Sequence, residues 1–122
     1  MLAAFGPVFG LNEETCARIA SPFGGGIGHM QEVCGAVSGA VMVIGLRYGE
    51  KITDRDVRDN INDLTQNFIR EFKSRHKSIL CRDLLKFDIT TKSGLIEARK
   101  KGVFAPCVDY VRSAVEILEK MP

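Results

Sequence analysis

A glycine-rich loop that leads into a cysteine among small residues constrains this chain more than any other part of its sequence. The run GGGIGHMQEVCGAVSGA occupies residues 24–40, and Cys34 is followed closely by Gly35, Ala36 and Gly39. Glycine inside a helix costs roughly 1 kcal/mol relative to alanine. Two glycines beside one cysteine therefore indicate that another helix, or a bound group, approaches the backbone closely at this point.

The hydrophobic pattern around this cysteine predicts the central helix of an all-α fold. The 14 residues from Val33 to Leu46 are almost entirely apolar, which is too short for the 18 or so of a membrane span. We expect a buried helix that begins at His29 or Met30 and ends near Tyr48. With its neighbours it predicts a single domain over residues 1–122, a bundle of about five helices.

Capping residues and apolar repeats locate the other helices. Asn12 precedes two glutamates and predicts a helix that runs to about Ala20. A capping-box-like start at Thr53 precedes apolar residues that repeat at three and four over residues 57–72, which predicts about six turns. Residues 108–118 carry the same stripe and predict a terminal helix. No useful length of strand-like alternation is present.

Composition and charge exclude several classes of function. The chain has 122 residues, is 45% hydrophobic and carries a net charge of +2 from 17 basic and 15 acidic side chains. This balance favours neither a nucleic-acid partner nor an anionic membrane. The N-terminal segment lacks the basic region of a signal peptide, so we expect a cytoplasmic protein. In that reducing compartment, four cysteines are more often catalytic thiols or metal ligands than structural disulfides.

The later cysteines share a setting that favours thiol chemistry. Cys81 precedes the segment RDLL, and Cys107 follows Pro106 at the opening of the last helix. Unpaired amides and the helix dipole favour a thiolate at such positions, so we expect a lowered pKa for at least one of the two thiols. The alternative interpretation of Cys34 is that it serves only as a small buried hydrophobic side chain, without a chemical role. For Cys16 the structural interpretation is the favoured one.

The glycines and a histidine beside the loop are weaker candidates for a binding site. The glycines could cradle an anion or a cofactor, or could mark tight helix crossings; they are Gly24, Gly25, Gly26, Gly28, Gly35 and Gly39. His29 is a candidate metal or haem ligand, although a lone histidine is more often a capping or surface residue. The sequence has no CxxC pair and no CxxCH haem motif.

The ordered cysteines and their contexts resemble a known family. The loop FGGGIG over residues 23–28, the run CGAVSGA that starts at Cys34, Cys81 in LCRDLL and Cys107 in PCVDYV resemble the redox-active protein family named for its C_GCAxxG_C_C pattern. The resemblance covers nearly the whole chain. It implies cysteine chemistry at Cys34, Cys81 and Cys107 without naming a reaction or a substrate.

The first cysteine departs from the family pattern. The pattern opens with a cysteine that would fall just before Met1, whereas the first cysteine of this chain is Cys16. The expectation is therefore either a member without the N-terminal cysteine-bearing segment, or a member in which Cys16 partly replaces that residue.

Three functions follow from these observations as hypotheses. The leading one is a thiol-based redox protein, in which two of Cys34, Cys81 and Cys107 exchange between dithiol and disulfide and the third resolves or tunes them, with a redox partner that the sequence does not name. The second is an iron–sulfur or zinc site, or less expectedly a haem site, that uses the same thiolates with the fourth position open or filled by His29 or Cys16. The third is a non-catalytic helical module whose small-residue face forms a homodimer.

Overall fold

A computed structural model describes all 122 residues and shows seven α-helices. Their bounds are α1 Leu2–Phe5, α2 Glu13–Ala20, α3 Gly35–Tyr48, α4 Arg55–His76, α5 Cys81–Leu85, α6 Lys92–Lys101 and α7 Cys107–Glu119. Short 3₁₀ turns follow α1 and α2, at Gly6–Phe9 and Ser21–Phe23. The chain forms no strand beyond one antiparallel bridge between Val33 and Leu80. The predicted all-α class is confirmed, with seven helices rather than about five.

The small-residue helix lies at the centre of the bundle, as predicted. Helix α3 packs against α7, α4 and α1. One hydrophobic core joins α3, α4 and α7, and its members are Ala36, Val37, Ala40, Val43, Ile44, Phe68, Phe72, Ala114, Ile117 and Leu118. A second, smaller core of Cys81, Ile89 and Ala98 packs beside α5 and α6. No helix is both long enough and apolar enough to cross a membrane.

The side-chain caps confirm one predicted helix start and correct another. The Asn12 side-chain amide oxygen Oδ1 accepts a hydrogen bond from the Thr15 backbone amide at 2.7 Å, so the predicted cap of α2 is confirmed. Helix α4 is capped by Asp54 rather than Thr53, because Asp54 Oδ1 accepts from the Asp56 amide at 2.9 Å. Thr53 lies in the preceding turn.

The predicted start of the central helix is wrong by about one and a half turns. Helix α3 begins at Gly35, with Cys34 as its N-cap, and the preceding residues form an irregular loop. Positive φ angles at six loop residues exclude a right-handed helix there; these residues are Gly25, Gly26, Ile27, Gly28, His29 and Gln31. The correction moves Cys34 from a helix interior to a helix N-terminus.

Candidate functional site

Three of the four cysteines meet in one cavity. Cys34, Cys81 and Cys107 line a space of about 150 Å³, although they lie far apart in sequence. Each stands at a helix start, Cys34 as the cap of α3 and the other two as the first residues of α5 and α7. The remaining lining consists of Gly25, Gly26, Gly35, Ala36, Leu85, Phe104 and Val111. All four cysteines are free thiols in this structure.

Backbone pairing explains how Cys34 and Cys81 come together. The Cys34 amide donates to the Ile79 carbonyl at 2.8 Å, and the Cys81 amide donates to the Glu32 carbonyl at 2.7 Å. These two bonds flank the antiparallel bridge between Val33 and Leu80. Side chains alternate across such a pairing, so the two cysteines project to the same face as diagonal neighbours. Diagonal neighbours in an antiparallel pair lie about 7–8 Å apart.

A glycine permits the close approach of the loop to Cys81. Gly26 is buried and has a φ of +73°. A Cβ atom at this position would lie 2.7 Å from Cys81 Cβ and 2.7 Å from the Glu32 amide nitrogen. Only glycine fits both the left-handed backbone and the missing space. Gly26 is therefore a steric requirement for the position of Cys81.

Gln31 fixes the loop to the segment that carries Cys81. Its side chain is buried, donates from Nε2 to the Phe87 carbonyl at 2.8 Å, and accepts at Oε1 from the Ile89 amide at 3.1 Å. The Gln31 carbonyl also accepts from the Arg82 amide and from Arg82 Nε. The Gln31 side chain also opposes the rise in the pKa of Cys81. Sequence analysis missed this residue, because no local pattern distinguishes a buried glutamine from a surface one.

The cavity disfavours charge on its thiols. Burial raises the pKa of Cys81 to about 11, with further contributions from Cys34 and Cys107 and an opposing one from the Gln31 hydrogen bond. Burial also raises the pKa of Cys34, against the opposing effect of the Ala36 and Val37 amides. For Cys107, burial and the charge of Cys34 raise the pKa. Each thiol thus lies close enough to the others for a thiolate on one to oppose ionisation of the next.

The expected lowering of a cysteine pKa at the helix starts is therefore wrong in sign. Cys81 and Cys107 do occupy helix N-termini as predicted. Burial and mutual repulsion outweigh the stabilisation of a thiolate by terminal amides, because three thiols share one apolar cavity. At neutral pH the resting site holds protonated thiols.

Tyr110 is a second residue that sequence reasoning missed. It lies one turn after Cys107 on α7, and its hydroxyl donates to the Leu84 carbonyl at 2.9 Å. Burial raises the pKa of Tyr110, and the three clustered cysteines raise it further. The hydroxyl therefore remains protonated and ties α7 to α5. Its position on the same face of α7 as Cys107, at a spacing of three residues, is the sequence signal that could have found it.

The other predicted ligands lie outside the cysteine cavity. Cys16 is fully buried, and its sulfur occupies the space beside Gly6, where a Cβ atom would come within 2.3 Å of it. His29 packs its ring against Gly25 and does not line the cavity. No group of three or more His, Cys, Asp or Glu side chains could hold a metal ion in this arrangement.

The predicted glycines divide into three groups. Gly25, Gly26 and Gly35 line the cysteine cavity, whereas Gly24 and Gly39 line a neighbouring recess together with Gly35. Gly28 has open space around it. At Gly39 a Cβ atom would meet Met1 Cβ at 2.6 Å, so this glycine does serve a close crossing between α3 and the start of α1. A cofactor role for these glycines stays a prediction.

Comparison with known proteins shows the family to which the chain belongs. The family model described as "Putative redox-active protein (C_GCAxxG_C_C)" matches residues 1–121. No curated protein and no solved structure matches the chain. Because the match extends over essentially the full length, the chain belongs to the C_GCAxxG_C_C family that this model describes.

Proposed function

We propose that this protein is a thiol-based redox protein that cycles between a dithiol and a disulfide within the cysteine cavity. The observation that carries the proposal is the convergence of Cys34, Cys81 and Cys107, from three separate helix starts, on one apolar space. A thiol that served only as a small core residue would not need two others beside it. The proposal places the protein in the cytoplasm, where glutathione and thioredoxin keep such thiols reduced.

The raised pKa values fit a site that is neutral in both redox states. Two protonated thiols and one disulfide are both uncharged, so oxidation leaves no net charge in the cavity while two electrons and two protons depart. A single thiolate is the charged species that burial disfavours. Attack therefore requires transient loss of one thiol proton, and the rate of oxidation should rise with pH.

The backbone pairing favours Cys34 and Cys81 as the first pair. They are diagonal neighbours on one face of the bridge between residues 33 and 80. A disulfide needs Cβ atoms about 3.5–4.5 Å apart, so oxidation must draw the two residues together by a few ångströms from the diagonal spacing of about 7–8 Å. Cys107 enters from α7 and is the third thiol, available to attack a mixed disulfide and release the bound half.

Thiol counting after anaerobic purification tests the proposal. Mild oxidation should remove two of the four free thiols in the parent and two of the remaining three in Cys16→Ala, because Cys16 lies outside the cavity. Cys107→Ser should keep the loss of two, whereas Cys34→Ser and Cys81→Ser should slow it. An unchanged thiol count in the parent would contradict dithiol exchange.

Metal analysis on the same samples tests the second hypothesis. Stoichiometric iron or zinc, or a visible chromophore that disappears in Cys34→Ser, would replace the dithiol proposal with a metal or iron–sulfur site. Colourless, metal-free protein that loses two thiols on oxidation supports the proposal.

A further inference from the structure

The recess beside the cysteine cavity indicates what kind of molecule the thiols act on. We propose that the oxidising substrate is a small, uncharged organic disulfide whose two apolar halves occupy the cysteine cavity and the adjoining recess. This inference rests on the proposed dithiol function and adds the class of its substrate.

The cysteine cavity has the size and polarity for one apolar ring. Its walls are backbone, small residues and the side chains of Leu85, Phe104 and Val111, and its only ionisable side chains are the three thiols. Its volume is about 150 Å³. An engineered apolar cavity of about 150 Å³ in another protein binds benzene. A carboxylate or an ammonium group would find no partner of opposite charge in the cavity lining.

The adjoining recess extends this apolar space. It has a volume of about 230 Å³ and shares Gly35, Ala36 and Val111 with the cysteine cavity. The rest of its lining is Met1, Leu2, Ala20, Phe23, Gly24, Gly39 and Met42, none of which has an ionisable side chain. Met1 also carries the N-terminal ammonium group, so the preference for an uncharged substrate rests on the lining of the cysteine cavity. Two apolar recesses that meet along one wall match the two halves of a symmetrical disulfide better than they match a single compact oxidant.

The exchange is balanced in atoms and electrons. One cysteine sulfur, after its proton leaves to water, attacks the substrate disulfide, forms a mixed disulfide with one half and expels the other half, which takes up a proton as a thiol. A second cysteine then attacks the mixed disulfide in the same way and expels the first half. The two cysteines are oxidised to one disulfide, and the substrate is reduced to two thiols.

A matched pair of aromatic disulfides tests the charge preference. Dithiodipyridine is uncharged at neutral pH, and dithiobis(nitrobenzoate) carries two carboxylates. Each second-order rate with the folded protein is divided by the rate of the same reagent with the urea-denatured protein, which cancels intrinsic reactivity. Both reagents react with the same protein thiolate, so the thiol pKa affects both rates equally. We expect the normalised rate of dithiodipyridine to exceed that of dithiobis(nitrobenzoate) by at least about tenfold, since an unpaired carboxylate is costly to bury.

Substitution of Val111, which both recesses share, tests whether the cavity itself causes the preference. Val111 is 39% exposed, so a longer side chain at this position can reach water. Val111→Arg should lose most of the discrimination against the carboxylate reagent, because it supplies the missing positive charge. Val111→Thr, which is similar in shape and uncharged, should keep the discrimination.

Ala20 tests the use of the second recess. Ala20→Leu should slow dithiodipyridine but leave the reaction with methyl methanethiosulfonate unchanged, because that small neutral reagent needs only the cysteine cavity. Equal slowing of both reagents would overturn the role of the recess.

The outcomes separate this inference from the function on which it rests. If both aromatic reagents yield the intramolecular disulfide at equal normalised rates, the substrate class is wrong and the dithiol function stands. If neither reagent yields an intramolecular disulfide and a mixed disulfide persists, the dithiol function itself fails.

Discussion

Replacing Gly26 by alanine should be markedly more damaging than the same change at Gly28, two residues away. Both glycines have positive φ angles, +73° and +58°. The alanine at either position is therefore strained by roughly 1–2 kcal/mol, partly offset by about 0.4–1 kcal/mol from the restricted unfolded chain. Only at Gly26 does the added Cβ also collide with other atoms, among them the Glu32 amide nitrogen at 2.7 Å and Cys81 Cβ at 2.7 Å.

The difference between the two variants isolates the cost of that collision. Overpacking of this kind costs typically 1–3 kcal/mol, so the free energy of unfolding of Gly26→Ala should lie about 1–3 kcal/mol below that of Gly28→Ala. Urea denaturation under reducing conditions, followed by circular dichroism and linear extrapolation, measures both values. Equal stabilities of the two variants would mean that the loop does not press against Cys81, contrary to this prediction.

Three further perturbations test the packing and the charge of the site. Gly39→Leu should lower the free energy of unfolding by about 1–3 kcal/mol through its collision with the N-terminal residue. The control Gly45→Ala, on the same helix with open space around it, should raise stability by up to about 1 kcal/mol in the same denaturation assay. Gln31→Ala should cost about 1–3 kcal/mol, because two backbone groups lose their buried partner; an unchanged urea midpoint would show that the loop is not fixed by this side chain. Because the pKa of Cys81 rises on folding from 9.0 to about 11, the unfolded chain gives up this proton first, so stability should be complete below pH 9 and fall as pH rises toward 11. Cys81→Ala should flatten that part of the stability curve measured by denaturation across alkaline pH, and an unchanged slope would exclude the buried thiol as its cause.

The sequence predicts the helices well because their signals are local. The Asn12 cap, the apolar repeat over residues 57–72 and the terminal stripe all depend on neighbours within one or two turns, and all three helices form. The start of α3 is wrong for the opposite reason. The loop that precedes Cys34 is closed by its own backbone hydrogen bonds, and its end at Gln31 and Glu32 is bonded to residues 81–89, which are distant in sequence.

The candidate site shows the same division between local and distant information. That Cys81 and Cys107 begin helices is readable from Pro106 and the flanking residues. That they meet Cys34 follows from the family resemblance and not from spacing. The direction of the pKa shift depends on how deeply the thiols are buried together, which is a property of the packed fold and has no local signal.

Cys16 illustrates why cysteine count alone does not identify a site. It is the most buried of the four cysteines, and its sulfur occupies the space beside Gly6. It stabilises the packing of α2 against the N-terminal turn as a small apolar side chain. We expect no part for it in the redox cycle.

Disulfide mapping of the oxidised protein shows whether the three clustered cysteines form the redox pair. The parent is oxidised mildly, its remaining thiols are alkylated, and proteolytic peptides are identified by mass spectrometry without reduction. We expect one linkage within a single chain, between two of Cys34, Cys81 and Cys107, with Cys16 alkylated only after unfolding. A linkage that includes Cys16, or linkages only between chains, would contradict this expectation.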